Sequence, residues 1–315
     1  ILVVNHVENT LAERYSWIER HIYYASEMHL EHESQVEIHP SPEAALNAAL
    51  EEANLKGEEV GIDRNRLLTS QAARIDEGVD AANLVDCTAL FDTLRSIKTD
   101  EEIERLRTAA EVTEAGIRAF LNHAEAGVTE VELSNVVQEA IVSAGGEFYK
   151  HHPGVLSLGA GANSAIGTAQ PTDYKLQDGY IARIDIGGIC ESYTSDIGRV
   201  TAIGTPPSEM RDAYETVVDA QQRVRERIEP GVTAAELFNV GQSSVRENGY
   251  PNYERGHVGH GVGLFHQEPP MLSPDNDREL EAGMVLAIEI PMHFEGRAGF
   301  NVEDICLVTE SGCER

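Results

Sequence analysis

The sequence predicts an α/β (α+β) protein in two parts, a small α/β domain over residues 1–96 and a larger, internally duplicated domain over residues 97–315. Three observations carry this. In the first hundred residues, short apolar runs alternate with acidic, alanine-bearing helical stretches. From Ile97 onward, helices opened by capping boxes carry apolar stripes at helical spacing. That second part also repeats itself. Gly127-Val128-Thr129 with Glu132-Leu133 recurs as Gly231-Val232-Thr233 with Glu236-Leu237, and LQDGYIARIDI (176–186) recurs as LEAGMVLAIEI (280–290). Residues 127 and 231 differ by 104, as do 176 and 280. Two separate matches at one offset imply two related halves joined face to face, with a site on the pseudo-twofold axis.

Taken in order, residues 1–4, 60–62 and 84–85 read as short strands and residues 43–53 as a helix. His21, His29, His32 and His39 crowd this region at spacings that fit no metal motif, so they read as surface histidines. Thr99 and Glu102 open a helix with the stripe Ile103, Leu106, Ala110, Ile117 and Leu121. Thr129 and Glu132 open the next, with Leu133, Val136, Val137 and Ala140, and Gly145-Gly146 end it. A long helix from Ser208 carries Met210, Ala213, Val217, Val224 and Ile228 and ends before Pro230-Gly231. Thr233 and Glu236 start another that ends near Gly249. These stripes are core faces.

Composition removes several functions. Acids outnumber Lys and Arg 54 to 24, for a net charge of -30, so the surface repels nucleic-acid phosphates and anionic membranes. Two readings of the charge stand: a surface suited to molar salt, where the Debye length falls to about 3 Å, or a basic protein partner. The acids are scattered over helices, which favours the halophilic reading. No stretch approaches the roughly 18 to 20 apolar residues needed to cross a bilayer. The start, ILVVNHVENT, has no basic n-region or cleavage site and does not read as a signal peptide; it lacks a starting Met, as a trimmed or fragmentary chain would. Cys87, Cys190, Cys306 and Cys313 show no CxxC spacing and read as reduced thiols of a cytoplasmic protein.

The chemistry concentrates where the repeat falls. The offset maps Asp185 onto Glu289. Alternate residues of a strand share a face, so Ile184 and Ile186 point one way and Asp185 the other; Ile288 and Ile290 flank Glu289 likewise. Asp196 and Glu303 follow, spaced as cross-strand partners in hairpins centred near Cys190-Glu191 and near Gly296. Like charges directly opposite destabilise a sheet. Arg199 and Arg297 cannot neutralise four carboxylates, so the acids call for bound cations. His260, in HVGHGVGLFHQEPP, is the fifth member; the glycines around it permit close backbone approach. Four carboxylates and one imidazole suit Mn, Fe, Co or Zn, with Mn favoured. Two such ions sharing a water lower its pKa and polarise a carbonyl, which is hydrolytic chemistry. Gly159, Gly161 and Gly167 lack the context of a nucleotide-binding loop and read as a strand-edge turn lining the site.

At these residues the sequence resembles the pita-bread metallohydrolases: IDIGG with SYTSDIGR, GHGVG, AIEIP and NVEDICLVTESG are similar to that family's ligand strands. The resemblance covers nearly the whole chain. It implies a pita-bread catalytic domain after a creatinase-like N-terminal domain, as in the creatinase, prolidase and aminopeptidase P branch. It implies Asp185 on one metal, His260 and Glu289 on the other, and Asp196 and Glu303 bridging, with Glu289 counted among the catalytic groups. The chain departs from the peptidase pattern at three places. The substrate-facing histidine usual 17 residues before the first aspartate is Thr168; the histidine after GHGVG, His266, comes one residue early; and the arginine usual two residues before the last glutamate is Asn301. Thr168, His266 and Asn301 are candidate substrate contacts, and His266 and His257 candidate acid–base groups. His151 and His152 precede a proline and read as loop.

The expected function is a dinuclear metallopeptidase that cleaves short peptides at Xaa-Pro bonds. The alternatives are a pita-bread enzyme acting on a non-peptide small molecule, such as a creatinase-like hydrolase or a lyase, and a binding protein of the same fold that has lost catalysis. A small substrate, no nucleic acid or membrane partner, a homodimer and a cytoplasmic location are expected.

Overall fold

The computed structural model describes residues 1–25, 37–80, 83–147 and 156–315, and the chain divides into two compact units, Ile1–Phe91 and Asp92–Arg315. His29, His32, His151 and His152 lie outside the described residues. Among the described residues, no helix is long and apolar enough to cross a membrane.

The first unit holds a parallel sheet ordered Leu2–Asn5, His21–Tyr24, Ile38–His39 and a separate parallel pair, Glu59–Ile62 with Asn83–Asp86. The helix Pro42–Glu52 starts at Ser41, whose hydroxyl accepts from the Ala44 amide, and has Pro42 where a missing N–H costs nothing. The strands at His21 and Ile38 escape sequence reading because each is only two to four residues long and has no alternating pattern.

The second unit is built on an eight-stranded antiparallel sheet. Its strands are β1 (Leu156–Ala160), β2 (Ile181–Ile186), β3 (Ile197–Ala202), β4 (Gly259–Gly261), β5 (Glu268–Met271), β6 (Val285–Glu289), β7 (Glu303–Thr309) and β8 (Gly312–Glu314). The order is β5-β4-β6-β7-β3-β2-β1, with β8 also paired to β7. Four helices accompany it: α1 (Asp100–His123), α2 (Glu130–Ser143), α3 (Ser208–Glu226) and α4 (Ala234–Glu247). Thr99, Thr129 and Thr233 each cap their helix, and Glu102, Glu132 and Glu236 close the boxes from the other side. The stripe of α1 is rotated from the expected one. Leu121 is exposed, and Val112, Thr113, Gly116 and Phe120 are buried with Leu106 and Ile117. Gly116 explains the rotation, because a Cβ there would come within 2.7 Å of Ile141 on α2.

The 104-residue repeat is a structural repeat. Gly127 and Leu176 exchange backbone hydrogen bonds through Val128, and Gly231 and Leu280 do the same through Val232. The isolated bridge Thr129↔Lys175 is matched by Thr233↔Glu279. In each half a helical pair packs on three strands: β1, β2 and β3 in the first and β4, β6 and β7 in the second. The two apolar clusters are correspondingly separate. Ile184 and Ile186 lie in one with Leu133, Val137 and Ile141, and Ile288 and Ile290 lie in the other with Val217, Val224 and Leu237.

The halves meet where β3 pairs with β7 at a single position, Gly198↔Glu303. Side chains reinforce so short a seam. Arg199 donates from Nη1 to the carbonyls of Gly198 (2.7 Å) and Glu303 (2.6 Å), and from Nη2 to Asp304 (2.6 Å). The buried Asp304 carboxylate also accepts from Gln221 (2.9 Å) and Arg225 (3.1 Å) and pairs with Arg315 (3.1 Å). Removing one partner of a buried ion pair strands the other charge, at about 3–5 kcal/mol. Asp304→Ala is therefore expected to lower unfolding stability in urea by about that amount; a loss below about 1 kcal/mol would show that the seam does not rely on this clamp.

Candidate metal centre

Asp185 lies near the end of β2, where the alternation that buries Ile184 and Ile186 turns its carboxylate to the opposite face. Glu289 ends β6 in the equivalent place, between the buried Ile288 and Ile290. Glu303 starts β7 and pairs directly with Glu289, in a register centred on Gly296, whose φ of 69° makes the turn. The first hairpin differs from expectation. Its turn is Glu191-Ser192, both with positive φ as a two-residue type I′ turn requires, so its centre lies one residue further along the chain. Asp185 consequently faces Gly198 rather than Asp196, which lies just before β3. The two aspartates still meet, because their side chains converge from the strand end, where burial and then Asp185 raise the proton affinity of Asp196.

His260 sits in β4 between Ala287 and Met271, flanked by Gly259 and Gly261, whose Cβ atoms would fall 2.2 and 2.4 Å from backbone oxygens of the neighbouring strands. Its Nδ1 lies 3.0 Å from the Gly261 carbonyl and Nε2 lies 3.6 Å from Asp196 Oδ2. Burial, and then His266 and His257, hold its pKa down to about 4. The ring is neutral at pH 7, Nδ1–H donates to Gly261, and the Nε2 lone pair faces a carboxylate oxygen. Asp196, His260 and Glu303 together offer ligand atoms within 4.8 Å of one another.

The charges are not met by the protein. Burial pushes Asp196 and Glu303 well above the usual carboxylate range, and the neighbouring acids add to it. Glu289 is pushed up to about 7 by burial and then by Asp185, against Arg255 and Arg183. One oxygen of Asp196 and one of Glu303 are buried with no hydrogen-bond partner. Buried acceptors without partners are rare and costly. A divalent cation between these oxygens and the His260 lone pair satisfies all of them, so the donor set fits the metals that hard oxygen and imidazole ligands select.

The remaining candidates line one cleft of about 780 Å³ around the carboxylates. His266 Nδ1 is 3.0 Å from Asp196, His257 Nδ1 is 3.3 Å from Glu289, and Thr168 stands on the rim. Asn301 is buried, and its amide donates to Glu303 (3.0 Å) and Asp185 (3.3 Å). Neither arginine weighed as a counter-charge reaches the centre: Arg199 serves Asp304, and Arg297 pairs with Glu209.

A model of metallopeptidase family M24 matches residues 104–310, and one of the creatinase/prolidase N-terminal domain matches residues 1–97. The chain belongs to metallopeptidase family M24. It is 31% identical over 266 residues to an uncharacterized peptidase of Staphylococcus saprophyticus, covering 84% of this chain and 75% of that one. It is 34% identical over 222 residues to the Xaa-Pro dipeptidase of Pyrococcus furiosus, covering 70% of this chain and 63% of that one. Among solved structures, the prolidase of Pyrococcus furiosus superposes with a TM-score of 0.80 at 27% identity, over 99% of this chain and 85% of that one. The fold is thus the pita-bread architecture with a creatinase-type N-terminal domain, the chain is a metallopeptidase, and the M24 family implies divalent metal ions.

Three ionisable cleft residues of this M24 chain were not singled out from sequence: Arg183, Arg255 and His293. Arg183 could have been found, since it stands two residues before Asp185 on the same strand face. His293 sits in the hairpin strand Met292–Phe294, and no spacing rule brings it to the site. The raised carboxyls set a pH dependence. The folded state holds these protons more tightly than the unfolded chain, whose glutamates titrate near 4.5. The contribution of Glu289 to stability is complete below that pH and is lost as pH rises through about 7, and Asp196 and Glu303, also raised, act in the same direction. Metal-free protein should therefore melt lower at about pH 8 than at about pH 5. Added manganese should raise the melting temperature more at the higher pH. An increment that is equal at both would contradict a carboxylate site.

Proposed function

We propose that the chain is a dinuclear metal-dependent peptidase that cleaves short peptides at Xaa-Pro bonds. The observation that carries the reading is the buried cluster of Asp196, His260 and Glu303, whose ligand atoms lie within 4.8 Å of one another and whose two carboxylates each keep one oxygen without a hydrogen-bond partner. In this reading Asp185 would hold one ion, His260 and Glu289 the other, and Asp196 and Glu303 would serve both. Two divalent ions there would lower the pKa of a shared water and polarise a substrate carbonyl. The relatives named Xaa-Pro dipeptidase and prolidase support the choice of bond.

The chain's own groups have separable tasks. Asn301 orients Asp185 and Glu303 by donating to both. Glu289, raised to about 7 by burial and then by Asp185 in the metal-free chain, would be held as a carboxylate by the ion it ligates. His266 reaches Asp196 through Nδ1 and moves the proton that the leaving nitrogen needs. His257, beside Glu289 and lowered by burial and then by Arg255, stays neutral and accepts rather than donates charge. Thr168 offers a hydroxyl at the rim but no group that titrates near pH 7.

Reconstituted protein should hold close to two metal ions per chain by elemental analysis, and Asp196→Asn or Glu303→Gln should each lose both. His266→Ala should cut turnover of a good Xaa-Pro dipeptide by about 10²-fold, with metal content unchanged. Wild-type protein that loads two ions yet is inert on every Xaa-Pro dipeptide would instead favour a non-peptide substrate.

A further inference from the structure

Outside the metal centre and the Asp304 clamp, two carboxylates of the described residues are buried, Glu130 and Glu268. Glu130 is met by neutral donors alone: the amides of Ala160 (2.8 Å) and Thr172 (3.0 Å), the Thr172 hydroxyl (2.7 Å) and the Asn163 side chain (3.1 Å). Glu268 is met by a cation. Lys98, one of four lysines in the chain, donates from Nζ to Glu268 Oε2 at 3.1 Å, and both side chains are 2% exposed. Burial pushes the Lys98 amine down, against the pull of Glu268. A charge pair so far from water adds little stability, and apolar side chains of like volume would serve the core as well.

What the pair supplies is direction. Lys98 is fixed at its backbone, where its N–H donates to the Gly283 carbonyl (2.9 Å) and the next residue caps α1. Its Nζ holds one oxygen of Glu268, which leaves Oε1 to accept from the Phe265 amide (3.1 Å). Residues 263–265 turn around the carboxylate so closely that a Cβ on Gly263 would fall 2.7 Å from Oε2. The Gly263 carbonyl accepts from the Thr194 amide (2.9 Å), two residues before Asp196. His266 follows Phe265 directly, with Nδ1 3.0 Å from Asp196. The turn that carries the imidazole is thus tied to one buried carboxylate and to the segment that carries its partner.

Resting on the peptidase reading, we propose that Lys98 and Glu268 are positioning residues: the buried pair fixes the turn over 263–267 and so sets His266 for proton transfer in the cleft. Neither residue lines the cleft, so both act through the imidazole. Loosening the pair should therefore slow the chemical step and leave substrate binding and the metals in place.

The test uses the manganese-loaded full chain and alanyl-proline. Lys98→Met with Glu268→Gln keeps the volumes and removes both charges, so the fold should survive while the turn loses its orientation. The expected result is a kcat lower by about tenfold to 10²-fold, with KM and metal content as in wild type and faster deuterium uptake by the 263–267 backbone. Glu268→Gln alone, the milder change, should show the same pattern to a smaller degree. In a His266→Ala background the double change should cost nothing further, because residues that act as a unit are not additive. Wild-type kcat in the double variant would overturn the proposal. So would an undiminished loss in the His266→Ala background, or loss of metal. The peptidase reading fails separately. If wild type holds two ions and hydrolyses no Xaa-Pro dipeptide, deuterium uptake decides: faster exchange over 263–267 keeps the pair as the device that sets His266, and unchanged exchange sinks it.

Discussion

Everything in the larger unit is arranged around a repulsion: the carboxylates of Asp185, Asp196, Glu289 and Glu303 are gathered at one end of a sheet, and two of them have an oxygen buried without a partner. A fold does not keep such a cluster for its own stability. Each acid would be more stable in water, and burial raises the proton affinity of Asp196, Glu289 and Glu303. Arg183 and Arg255 stand off at 3.7 and 3.9 Å and give distant relief. Cations bound at the cluster would turn the largest local cost into a source of stability, because free energy gained on binding the folded state adds to folding.

The duplication is what makes the gathering possible. Each half brings one acid on a strand end, Asp185 or Glu289, between two isoleucines that anchor the strand in its own apolar cluster. The halves then join through one ladder pair, Gly198↔Glu303, where a side chain on Gly198 would meet the Cβ of Glu303 at 2.9 Å. Glycine at that position lets Glu303 of one half stand against the strand that follows Asp196 in the other. Arg199 and Asp304 hold the seam without entering the site. Symmetry is broken at the residues that differ in role: His260 comes from the second half alone, and Arg183 anchors a loop of the first.

Much of this was legible in the sequence for local reasons. Capping boxes are read from two residues three apart, and all three form. Strand alternation shows which way Asp185 and Glu289 face, and the repeat shows that they correspond. Where reading failed, the cause was a contact between distant segments or a turn with unusual chemistry. The pairing of Asp185 shifted because Glu191 and Ser192, neither of them glycine, both take positive φ. The exposed face of α1 shifted because Gly116 admits a neighbouring helix. Arg255 and His293 reach the cleft only through the packing of strands remote in sequence, so no spacing announces them.

The central claim is that the four carboxylates and His260 form one site for two divalent ions. Diffraction from manganese-soaked crystals, recorded on either side of the metal's absorption edge, tests it most directly. The account predicts two anomalous peaks, one bonded to Asp185, the other to His260 and Glu289, and both to Asp196 and Glu303. No peak within bonding distance of these residues, or a single peak bonded to neither Asp196 nor Glu303, would contradict it.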